Sequence, residues 1–153
     1  YRKDIEGWLL PVNSGNLGTA YIKRKEFAEG LVFHKQSELD FIAAKLALHP
    51  EMAFAYRGQA EAYIGLEDYV MWLEALQRTL QHRREIGSGY NNNHLLELSS
   101  FISYLEFNEG KGVAVDSLSL KEELCMRMHS PRLEVDIHES VHDVHDLYCQ
   151  KNK

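Results

Sequence analysis

The chain is 153 residues long and contains no apolar run near the roughly 20 residues that a membrane-spanning helix needs. A membrane protein of that kind is therefore not expected. The start carries no signal-peptide pattern. Its first residue is Tyr1 rather than Met, which leaves room for a further domain or targeting segment upstream. Cysteine is scarce: Cys125 and Cys149 alone do not make a disulfide framework, so reduced thiols in an intracellular protein are expected. An excess of cations is also lacking. The net charge is −6, which argues against general binding to a nucleic-acid backbone, because phosphate neutralisation needs a basic surface. No residue is placed as a nucleophile beside a base. Gly15 and Gly18 are not a phosphate loop, since no strand precedes them and no Lys-Ser/Thr follows.

What is present is ordinary globular material, 44% apolar and 26% charged, long enough for one domain with a sizeable core. The organising stretch is residues 48–76. Pro50 suits a first helical turn. Tyr56, Ala60 and Tyr63 form one stripe at helical spacing, and small Ala60 lets a neighbour approach. Gly65 ends that helix and Glu67-Asp68 opens the next, whose stripe is Tyr69, Trp72, Leu73 and Leu76. A hairpin of this kind cannot bury both faces alone and calls for stacked copies.

The rest of the chain supplies them. Ile5, Trp8 and Leu9 mark a short capping helix broken by Pro11. A helix is predicted from about Asn13 to Arg24 with Leu17, Gly18 and Tyr21 inward. A longer one follows from Phe27 to about Leu48, with Leu39, Ile42 and Leu46 as core. Gly18 and Ala60, Tyr21 and Tyr63, and Phe27 and Tyr69 are each 42 residues apart, which reads as an internal repeat. Gly87 to Asn93 is a loop. His94–Phe107 is predicted helical, with Leu95, Leu98, Phe101, Ile102 and Leu105 on its apolar face. Val113–Leu120 is read as a loose helix start, and Ser119 with Glu122 as a capping box opening Leu120–Met128. Cys125, beside Met126 and Met128, is assigned to core. Ser130-Pro131 is predicted to open a final helix whose buried stripe is Ile137, Val141, Val144 and Tyr148.

These residues resemble a tetratricopeptide repeat. Leu17-Gly18-x-x-Tyr21 with Phe27, and Gln59-Ala60-x-x-Tyr63 with Tyr69, match that family's bulky, small and aromatic pattern. The usual period is about 34. The longer variety, with His-Pro entering a repeat as in Leu48-His49-Pro50, is similar to the repeats of kinesin light chains. Trp72 departs from the pattern where the family has a small residue, Gly30 holds that place in the first copy, and Asn91-Asn92-Asn93 lacks the Pro. The match is best over residues 13–85. The resemblance implies an all-α, right-handed superhelix forming one domain over 1–153. Its hairpins would lie near 13–48, 50–86 and 94–129, with a capping helix at 131–149. The first helices of such hairpins line a concave groove that takes a protein or peptide ligand.

Register then assigns groove residues. Asn16, Thr19 and Lys23 come from the first copy and Arg57 and Glu61 from the second. Aligning Pro131 on Pro50 adds His138, His142 and His145. Arg57 and Glu61 are one turn apart and could pair with each other. A histidine-lined groove would respond to pH near neutrality. His138-Glu139-Ser140-Val141-His142 also matches HExxH, the zinc-binding helix of metalloproteases. His138 and His145 are about 10 Å apart along a helix, so the three histidines do not converge on one ion. No substrate-aligning strand is evident. We read the stretch as a polar helix face. No metal or cofactor is assigned, and His138 and His142 are the residues that would hold a metal. The resulting expectation is a non-enzymatic, cytoplasmic peptide-binding scaffold that binds neither nucleic acid nor membrane, with homodimerisation left open. Alternatives are a sensor or regulatory domain of a larger protein, and a metal-dependent hydrolase built on residues 138–142.

Overall fold

The computed structural model describes residues 9–107, 117–133 and 139–149. Their regular elements are seven helices: α1 (Leu9–Lys23), α2 (Phe27–Ala43), α3 (Met52–Gly65), α4 (Tyr69–Glu85), α5 (Asn92–Phe107), α6 (Ser117–Met128) and α7 (Glu139–Tyr148). No helix among the described residues is long and apolar enough to cross a membrane. The chain divides into two compact units, Tyr1–Ser88 and Gly89–Lys153.

The first unit holds α1–α4. Each helix packs on the next, and α1 also reaches α3. The 42-residue recurrence extends to helix ends: Lys23 and Gly65, Phe27 and Tyr69, and Ala43 and Glu85 are each 42 residues apart. The turns recur too. Lys25 (φ 62°) and Glu67 (φ 58°) are left-handed, and the next N–H in each case donates back to Tyr21 or Tyr63 at 2.9 Å. Lys45 (φ 61°) and Gly87 (φ 71°) repeat the device, closing bonds of 2.8 Å from Leu46 to Phe41 and from Ser88 to Arg83. A left-handed residue followed by this backward bond satisfies the orphan carbonyls at a helix end.

Several expectations are corrected here. Pro11, expected as a breaker, lies within α1, two residues after Leu9, the first described residue of that helix. The predicted helix to Leu48 stops at Ala43, because Lys45 adopts the conformation that glycine normally supplies. Leu39 (59% exposed) and Ile42 (49%) are not core, and Leu17 and Tyr69 are also exposed. Instead α2 turns Gly30, His34, Ser37 and Phe41 inward. That face is narrow and polar, which lets α1 and α3 approach closely. Ser37 donates to the Pro11 carbonyl at 2.6 Å and Ser14 to Asp40 at 3.3 Å. Phe41, Met52 and Ala55 form a core cluster with Val12, Leu46 and Tyr56 packed against it. On α4, Trp72 and Leu76 are buried as their spacing predicts.

The second unit holds α5–α7. Leu95, Leu98, Phe101, Ile102 and Leu105 are all buried, as read from their spacing. Asn91 caps α5 by accepting the His94 N–H at 2.9 Å. Ser119 and Glu122 lie inside α6, which is already helical at Ser117, so they are not a capping box. Residues 130–133 form a turn in which Ser130 Oγ accepts the Arg132 N–H at 3.1 Å, rather than the start of a helix. Within α7, Val141 is fully buried, and Val144 and Tyr148 are half-buried. Val113, Ile137 and His138 lie outside the described residues, as do residues 134–138 of the predicted C-terminal capping helix and, at the other end of the chain, Ile5 and Trp8. The expected free thiols are also corrected: Cys125 and Cys149 are joined as a disulfide. The two residues are 24 apart in sequence, and only the packing of α6 on α7 brings them together.

Candidate functional site

Asn16 and Thr19 stand one turn apart on α1, and Phe54, Arg57 and Glu61 stand one turn apart in succession on α3. Two cavities lie between these helices. One, of about 220 Å³, is lined by Asn16, Thr19, His34, Ser37, Glu51 and Phe54 among others. The second, of about 210 Å³, is lined by Thr19, His34, Phe54, Arg57, Gly58 and Glu61. Sharing Thr19, His34 and Phe54, they form one trough with α2 beneath it. Four of the residues chosen by register, Asn16, Thr19, Arg57 and Glu61, therefore come together. Lys23 is exposed near the end of α1 and lines neither cavity.

The floor of the trough is His34. The residue is only 2% exposed, yet neither ring nitrogen has a hydrogen-bond partner among the described residues. The ring lies between the backbones of α1 and α3, which is why those helices carry Gly18 and Gly58 at the crossing. A Cβ on Gly18 would stand 2.6 Å from the ring, and one on Gly58 would overlap it. Burial pushes the His34 pKa down to about 4. The imidazole is thus neutral at physiological pH, with one N–H donor and one acceptor lone pair.

The walls are mixed. Arg57 Nε and Glu61 Oε1 are 3.3 Å apart, the pairing their spacing predicts. Both are partly solvated, so their attraction contributes little to stability. Phe54 is 51% exposed although it is a large apolar side chain. His34 and Phe54 were not among the residues picked by register. The sequence signal for His34 is its place among the small residues Gly30 and Ser37 on one face of α2. For Phe54 it is its position one turn before Arg57.

The histidines expected to extend the row belong to the second unit. His142 is exposed on α7. His145 is half-buried and meets His129, Nε2 to Nε2, at 2.8 Å. His138 lies outside the described residues. Compared with family models, with curated proteins and with solved structures, the chain finds no match.

Proposed function

We propose that the protein is a peptide-binding module whose ligand lies in the trough between α1 and α3. The observation that carries this reading is the trough itself, an open cleft between α1 and α3 floored by the buried, neutral imidazole of His34, whose two nitrogens have no partner among the described residues. A buried polar group without a partner costs about 1–3 kcal/mol. A ligand that draws the ring towards the trough and bonds one of its nitrogens recovers part of that cost. An extended peptide is suited to this, since its carbonyls accept and its N–H groups donate along one edge. Phe54 would provide an apolar anchor, and Glu51, Arg57 and Glu61 the charged contacts that fix register.

The 42-residue recurrence of helix ends and turns supports a tetratricopeptide-like superhelical stack, in which this trough is the concave face. We place the protein in the cytoplasm, without a cofactor or a catalytic role. Disulfides are rare in that compartment, so a cytoplasmic location implies that the Cys125–Cys149 bond is opened there.

Peptides selected from a random displayed library against the full chain test the reading. Phe54→Ala and Arg57→Glu should each weaken binding by about tenfold or more, with the thermal midpoint of the protein unchanged. Peptides that bind both variants as tightly as the parent chain would refute the trough as the binding site.

A further inference from the structure

The ends of α6 and α7 carry two pairs of ligand-type residues at matched spacing. Cys125 and His129 are four residues apart, and so are His145 and Cys149. The His129 N–H donates to the Cys125 carbonyl at 3.1 Å and the Cys149 N–H to the His145 carbonyl at 2.7 Å. Each pair is therefore held on one helical turn and shares one face. The pairs meet head to tail. Cys125 faces Cys149, with a Cα separation of 5.5 Å. His129 faces His145, with ring centroids 4.9 Å apart and Nε2 atoms 2.8 Å apart. The Nδ1 of His145 is 3.7 Å from the Asp146 carboxylate, so Nε2 is the nitrogen turned inward. Cys125, His129 and Cys149 also line one cavity of about 330 Å³, with Lys121 and Glu122 at its wall.

While the sulfurs are bonded to each other, the described residues contain no group of three ligands able to hold a metal ion. Opening the bond frees two thiols beside the facing imidazoles of His129 and His145. We propose that Cys125, His129, His145 and Cys149 form a tetrahedral site for a zinc-class divalent ion when the two cysteines are reduced. Two thiolates and two neutral imidazoles are the ligand set such ions favour, with metal–sulfur bonds of about 2.3 Å and metal–nitrogen bonds of about 2.0–2.1 Å. In a tetrahedron those lengths place the two nitrogens about 3.4 Å apart. The imidazoles of this chain would have to part by about 0.6 Å to admit the ion, and the freed sulfurs would have to move apart as well.

Two molecules of a thiol reductant open the disulfide by exchange, leaving two cysteine thiols and one disulfide of the reductant. The ion then displaces the two thiol protons to solvent and takes two thiolates and two neutral imidazoles, giving a site of zero net charge. Disulfide and ion exclude each other. The second unit is cross-linked in either case, by a covalent bond under oxidising conditions and by the metal under reducing ones. This inference is independent of the peptide trough.

The test uses the full chain, reduced with a phosphine, stripped with a chelator and titrated with Co²⁺ while helicity is followed by circular dichroism. The expected result is one equivalent of cobalt with the visible absorption of a tetrahedral thiolate–imidazole site, discharged by added Zn²⁺ and absent from the oxidised chain. Cys149→Ser and His145→Ala should each weaken cobalt binding at least about tenfold. If reduction alone loosens the second unit, recovery of helicity on metal addition supports the site. A reduced chain that takes no cobalt overturns the proposal, whether its helices persist or are lost. So does binding that survives in Cys149→Ser or is abolished instead by His142→Ala.

Discussion

At the scale of single residues, His34 ties stability to pH as well as to the trough. Its folded-state pKa is about 4, below the unfolded value of 6.5, and the cause is burial. Below pH 6.5 the unfolded chain binds a proton that the folded chain refuses, so the stabilisation is complete above 6.5 and is lost as pH falls towards 4. The loss amounts to at most about 3 kcal/mol. His82 moves in the same direction: burial lowers its pKa, opposed by the hydrogen bond it donates to the His49 carbonyl. The urea midpoint of the first unit should therefore fall between pH 6.5 and 4. His34→Leu should flatten that fall, because it removes the imidazole while keeping similar volume. An equally steep fall in His34→Leu would show that other groups carry it. The glycines around the ring make a second contrast. Gly58→Ala forces the imidazole aside and should lower the thermal midpoint, at a cost of about 1–3 kcal/mol. At Gly15 an added Cβ lies 3.5 Å from Ser37 Oγ, an ordinary contact, so Gly15→Ala should stabilise by up to about 1 kcal/mol.

At the scale of elements, the two hairpins of the first unit share turn geometry but not capping chemistry. Asp68 caps α4 by accepting the Met71 N–H at 3.2 Å. Glu26, 42 residues earlier, makes no such bond at the start of α2, and its pairing with Arg24 is solvated. Asp68→Ala should cost about 1 kcal/mol, whereas Glu26→Ala should be near neutral, as read from chemical denaturation of each variant. What could be read from sequence follows the same physics. The buried face of α5 was legible because five large apolar side chains stand at helical spacing and nothing competes with them. The buried face of α2 was not, because apolarity pointed to Leu39 and Ile42 while close packing selected Gly30, His34 and Ser37. The end of α2 was hidden for a related reason: a lysine, not a glycine, takes the left-handed turn.

At the scale of the whole molecule, the repeat was legible because it depends on pairs of positions rather than on any one residue. Its period reappears in the helix ends of the first unit, where Ala43 and Glu85 close α2 and α4 at the same 42-residue offset. The Cys125–Cys149 pairing was not legible, since it depends on how α6 and α7 pack and not on local pattern. The trough was half legible. Register on the first helix of each hairpin found Asn16, Thr19, Arg57 and Glu61, but the floor comes from α2, a second helix, which that register does not consult. The account rests on that floor. Its most direct test is the nuclear magnetic resonance spectrum of the His34 ring nitrogens in the full chain, with and without a selected peptide. The account predicts that both nitrogens shift on binding, together with the amides of Asn16, Thr19, Phe54, Arg57 and Glu61. A bound peptide that leaves the His34 ring unperturbed and moves amides elsewhere would contradict it.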